Sequence, residues 1–296
     1  MNLRLIRGLG ALGVLAVFCA ASAKAENKKV LMFTKSQGFQ HSVVKRGDNG
    51  ELSMAEKIVT ELGKKNGFDV TATKDGSLIN AENLKKYDAV YFFTQGEIDQ
   101  VGLDKQPPIK QEEKEAILEY VKNGGGFVGT HCGGADTYHA WVVDGKRPFL
   151  EMVGGEFIGH GIQQESRVDV VDPNFPAMKG WPKSLTITDE WYAYRDFHAN
   201  MHILMLLETE GMAGPLYKRQ PYPIAWCSNY GKGRVFYTGM GHREDVWEHP
   251  LYQSMVLNGI LWAAGAIPGD ATPNLKQIYG DEKQALERIN PTTGGK

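Results

Sequence analysis

Apolar residues along the chain follow two rhythms. Residues 29–34 (KVLMFT), 68–73, 88–93 (DAVYFF) and 127–129 are short, nearly continuous apolar runs closed by turn residues, as in strands buried on both faces. Between them the period changes to 3.6. Residues 51–65 place Met54, Ile58, Val59 and Leu62 on one helical face, and residues 111–122 turn Ile117, Leu118 and Val121 inward. A shorter helix is expected over 81–86. Strand and helix alternating in this way predict an α/β fold, a mostly parallel sheet with helices on both faces.

After Trp141 the rhythm loosens. A helix is expected at 148–152 and strands at 167–171, 185–188 and 202–207. Residues 223–229 and 234–239 predict a hairpin turning at Tyr230-Gly231-Lys232-Gly233. The glycine-rich stretch 154–161 (GGEFIGHG) fits no element. A last helix is expected over 248–264, and residues 266–296, with their prolines and glycines, read as a loosely held C-terminal tail.

The sharpest local feature is NGGGFVGTHCGGADTYH, residues 123–139. Three glycines end a helix, an apolar run makes a strand, and Gly129 and Gly133 then flank His131 two residues away on either side. That is the spacing of a strained turn that pushes one side chain out at the end of a strand. The displayed residue is His131, with Cys132 one place past it. Open α/β sheets bind ligands outside the carboxyl ends of their strands. Other loop histidines therefore gain weight: His41, His160 and His242 each follow a strand or sit beside glycine. Asp136 comes just after the turn, and Glu190 follows 185–188.

Imidazoles beside a carboxylate can transfer protons, or can hold a divalent metal that polarises a carbonyl or a water. The expected catalytic set is His131, Glu190 and Asp136; the expected metal ligands are His41, His131, His160 and His242. No HExxH, HxH or CxxC spacing occurs, so such ligands must converge from separate loops. Phe39, Tyr138, Trp191 and Tyr192 accompany the same loops and are expected, with Arg195, to contact a sugar. Two rival readings are a Cys132 nucleophile and a carbohydrate-binding or scaffold domain without chemistry.

Composition narrows the setting. The chain opens with Arg4 and Arg7, an apolar core over 8–20 and small-x-small cleavage sites ending at Ala23 and Ala25. This predicts a secretory signal peptide, residues 1–25, too short to span a membrane, and a periplasmic or secreted mature protein. Cleavage removes three of the 33 basic residues and none of the 35 acidic ones, leaving a charge near −5. With no basic block, the charge argues against nucleic acid or an anionic membrane surface as a partner, and no integral membrane association is expected after signal cleavage. Cys132 and Cys227 remain; an oxidising compartment would allow them to pair, but two isolated buried thiols are expected. The remaining length suits one large domain over 29–265.

Five segments together resemble the ThuA-like (trehalose-utilisation) family: KVLMFTKSQGFQHS, GGGFVGTHCGGADTYHAW, FLEMVGGEFIGHG, TDEWYAYRDF and PIAWCSNYGKGRVFYTGMGHREDVW. The resemblance covers about residues 29–265. It implies a flavodoxin-like sheet similar to that of class I glutamine amidotransferases, generally without their catalytic cysteine. It also implies a role in sugar or glycoside utilisation, including keto-sugars made from disaccharides, and transfers interest to His41, His131, Asp136, His160, Glu190 and His242. The expected function is an exported enzyme acting on a small-molecule sugar or glycoside. Deprotonation beside the carbonyl of a 3-keto sugar, with a cation or imidazole stabilising the enediolate, matches these residue types.

Overall fold

The computed structural model describes residues 27–290, so the expected signal peptide and the extreme C-terminus lie outside the described residues. The first half alternates β1 (Lys28–Phe33), α1 (Met54–Asn66), β2 (Phe68–Thr73), α2 (Ala81–Leu84), β3 (Ala89–Phe92), α3 (Ala116–Lys122), β4 (Gly126–Thr130) and α4 (Pro148–Val153). Then come six strands and a turn of hairpin: β5 (Glu156–His160), β6 (Gln164–Val170), β7 (Ser184–Asp189), β8 (Tyr192–Arg195), β9 (His202–Leu207) and β10 (Tyr222–Tyr230). The chain closes with β11 (Gly233–Thr238), α5 (Glu244–Glu248), α6 (Pro250–Ala263), α7 (Leu275–Tyr279) and α8 (Glu282–Ile289).

Nine strands form one sheet in the order β2-β1-β3-β4-β11-β10-β9-β6-β7. The five from β2 to β11 are parallel neighbours, and the pairings from β11 outward to β7 are antiparallel. The fold is thus the expected α/β type, parallel in its core and extended by antiparallel strands. The cause is the connections: parallel neighbours need a crossover, usually a helix, whereas a tight turn joins β10 to β11. Consecutive strand residues face opposite ways. A Cβ on Gly126 would lie 2.4 Å from the Ala263 carbonyl of α6, while Phe127 packs edge-on to Phe149 of α4. Helices therefore cover both faces.

Three expectations need correcting. The helix over 248–264 is two helices, because Pro250 starts α6 and holds His249 in an extended conformation (φ −69°, ψ 124°). Residues 154–161 contain β5, which pairs with β8 in a separate two-stranded sheet. The described part of the C-terminal tail, up to residue 290, is not loose: α7 and α8 bury Leu275, Ala285 and Ile289, and Asn290 exchanges hydrogen bonds with the backbone of Phe197. Among the described residues no helix is long and apolar enough to cross a membrane.

Candidate active site and metal centre

β4 ends at Thr130, and the next residue takes the left-handed conformation (His131 φ +50°) that side-chain-bearing residues seldom adopt. The flanking glycines are required by close backbone approach. A Cβ on Gly133 would lie 1.9 Å from the Phe92 carbonyl, and one on Gly129 2.1 Å from that of Gly133. Hydrogen bonds offset the strain: His131 N donates to Thr238 O (2.7 Å), and Tyr237 Oη donates to His131 O. The turn does not push His131 towards solvent, however. Its imidazole is fully buried against the loop after β11, with Nδ1 3.1 Å from Gly239 O. A carbonyl only accepts, so Nδ1 carries a proton, and Nε2 is the nitrogen left to face Glu190 or a metal.

Around that nitrogen the chain gathers its other polar loops. His242 Nδ1 lies 3.3 Å from His131 Nε2 and 3.0 Å from Glu190 Oε2, and His131 Nε2 lies 3.5 Å from the same oxygen. The His41 ring stands edge-on to those of His131 and His242, each at 4.9 Å between centroids. One ligand atom from each of His41, His131, Glu190 and His242 falls within 4.8 Å of the others. The group that could hold an ion thus contains Glu190 where His160 was expected. His160 joins indirectly, through Nδ1 at 3.3 Å from Glu190 Oε1, and stays half exposed.

Burial and the neighbouring His131 and His242 push the His41 imidazole down to about 2, holding it neutral. Burial works to raise the Glu190 carboxyl, but hydrogen bonds from His131 and His242 outweigh it and hold the group well below the usual carboxylate range. Neutral imidazoles and an ionised carboxylate are the forms that bind a metal. Three nitrogens and one oxygen suit zinc, and imidazole also suits iron, nickel and copper. The residues present therefore fit a divalent ion.

His41 and Glu190 of the cluster line a cleft of about 450 Å³ together with Phe39, Gln95, Asp136, Phe157, His160 and Tyr192. Phe39 stands at its mouth, 56% exposed. Tyr192 packs its ring 4.0 Å from His131 and 4.1 Å from Phe157. Asp136 accepts from Gln95 Nε2 (3.3 Å), and burial raises its carboxyl. Three expected sugar contacts do not reach the cleft. Tyr138 is buried against Trp141 and Phe149, Trp191 is buried with its indole donating to Gln164 O (2.8 Å), and Arg195 pairs with Glu156 (2.7 Å). Gln95 and Phe157 were missed. Gln95 had a usable signal, its place just past the strand at 88–93.

Cys132 Sγ lies 3.7 Å from His41 Nδ1, fully buried, and burial pushes its thiol well above the ordinary value. A thiol in that state is a poor nucleophile. Cys227 is likewise free and buried.

The family model for ThuA, trehalose utilisation, matches residues 29–263. The chain belongs to the ThuA family. Among curated proteins no match was found. Among solved structures, a ThuA-like protein from Bacteroides uniformis is 21% identical, with a TM-score of 0.62, and the match covers 83% of this chain and 95% of that one. Another, from Parabacteroides merdae, is 19% identical, with a TM-score of 0.59 and coverage of 83% and 93%. Cytoplasmic protein STM3548 from Salmonella typhimurium is 12% identical at a TM-score of 0.50, covering 80% and 98%. These likenesses carry the fold, which is glutamine amidotransferase-like as expected for the family.

Proposed function

We propose that this chain is an exported enzyme of sugar or glycoside utilisation that acts on a sugar or keto-sugar by histidine and carboxylate chemistry, with His41, His131, Glu190 and His242 holding a divalent metal. The observation that carries this reading is the convergence of three imidazoles and a carboxylate from four separate loops, two of which, His41 and Glu190, line one cleft. Structural needs alone give little reason to bury so many titratable groups together. The family's description supports the sugar.

An ion held there would act as a Lewis acid on a carbonyl oxygen. Phe39 and Phe157 offer apolar walls to the C–H face of a sugar ring, while Gln95 and His160 offer hydrogen bonds to its hydroxyls. Asp136, partly withdrawn from water, is placed to take a proton from the carbon beside the carbonyl; the C–H electron pair then becomes the enediolate, and return of the proton completes an exchange.

The test is exchange of that C–H in deuterated water, followed by NMR on 3-keto glycosides. Exchange is expected, is abolished by chelator, and falls at least ~100-fold in Asp136→Asn. Cys132→Ser leaves it unchanged. Saturable binding without any exchange would instead favour the carbohydrate-binding reading.

A further inference from the structure

Glu190 and His242 reach the cluster from distant parts of the sheet. Glu190 follows β7, the edge strand, and His242 follows β11, with β10, β9 and β6 between them. In a flat sheet four strand spacings would part those strands by about 19 Å. The antiparallel half therefore curls back over the carboxyl ends, and one buried side chain joins the two corners. Asp189 Oδ1 accepts the Glu190 amide (2.9 Å), and its Oδ2 accepts the Gly241 amide (2.7 Å). These amides belong to one ligand residue and to the residue just before another.

The corner at Gly241 is braced from behind. Tyr252 Oη donates to Met240 O (3.1 Å), and Trp247 Nε1 donates to Gly241 O (2.8 Å). Gly241 has φ +114°, and a Cβ there would lie 2.1 Å from Tyr252 Oη. Because that corner is backed by packed aromatics, a pull from Asp189 moves the Glu190 corner to it rather than the reverse.

We propose that Asp189 is a positioning residue that presets the spacing between Glu190 and His242, and so governs the cluster's affinity for a divalent ion without touching it. This rests on the metal reading above. In Asp189→Asn the carboxamide oxygen can accept one amide, but its NH2 group faces the other N–H, so one corner is released.

Cobalt(II) titration, read by affinity and by the ligand-field spectrum, tests it. Asp189→Asn is expected to bind about 10–100-fold more weakly, with an altered spectrum. Asn80→Ala, which removes the cap of α2 away from the cleft, is the control: it lowers thermal stability and leaves cobalt affinity unchanged. Wild-type protein that takes up no cobalt overturns the metal reading. Wild-type protein that binds cobalt while Asp189→Asn binds it equally well overturns the role of Asp189. If the variant does not fold, amide hydrogen exchange of the wild type decides. Glu190 and Gly241 should be protected before cobalt is added; protection that appears only with the ion would mean that the ion sets the spacing.

Discussion

Glu56 does not line the cleft, yet it fixes the loop that carries Phe39 and His41. Its buried carboxylate accepts Thr34 Oγ1 (2.6 Å) at the loop's start, Arg46 Nε (2.8 Å) at its end, and the Ser53 amide (2.9 Å) of the helix cap. Burial opposes the charge, but hydrogen bonds from Arg46, Thr34 and Ser53 outweigh it and lower the carboxyl's pKa. A lowered folded value means that the unfolded chain protonates first as pH falls. The contribution is therefore full above the ordinary carboxylate range and disappears as pH drops through the lowered value. Glu56→Gln should cost about 2–3 kcal/mol at neutral pH. In denaturant titrations at successive pH values, its gap from wild type should narrow on acidification. At this scale the sequence showed which residues gather better than where they point. His131, His41, His242 and Glu190 were legible because turns and strand ends place them at one rim. Tyr138, Trp191 and Arg195 were not, because adjacency in a loop does not say which side chain turns inward.

Among elements, the C-terminal tail shows how local composition misleads. Prolines and glycines between α6 and α8 suggest a free arm, and helices of five and eight residues are too short to be stable alone. Their stability comes from docking. Ala285 and Ile289, one helical turn apart, face the interior, and Arg219 bridges the Ile289 carbonyl to the Tyr194 carbonyl of β8. The tail thus braces the strand that carries Tyr192. Ile289→Ala should destabilise the protein by about 2–4 kcal/mol in urea unfolding, with faster amide exchange over residues 192–197. Unchanged exchange there would show that the tail docks without bracing β8. The β5–β8 pair was illegible for a related reason: its partners are distant in sequence, and a bulge interrupts the alternation between Phe157 and Gly159.

Across the whole molecule, the cluster joins loops that follow β1, β4, β7 and β11, which the backbone leaves far apart in sequence. The parallel half of the sheet was legible from its alternating strands and helices. The curl of the antiparallel half was not, since it depends on contacts such as Asp189 to Gly241 rather than on any local pattern. An ion bound at this point should act as a cross-link of the folded state alone. Stabilisation then follows mass action, about 2.7 kcal/mol when the ion is at a hundred times its dissociation constant. The melting temperature should rise with added zinc, level off, and return on chelation. His242→Ala and Glu190→Gln should abolish the rise. His160→Ala should keep it, because His160 meets the cluster only through Glu190 Oε1. That contrast separates the four-residue centre from the all-histidine set expected from the sequence. A variant lacking His160 that no longer responded to zinc would restore it as a ligand.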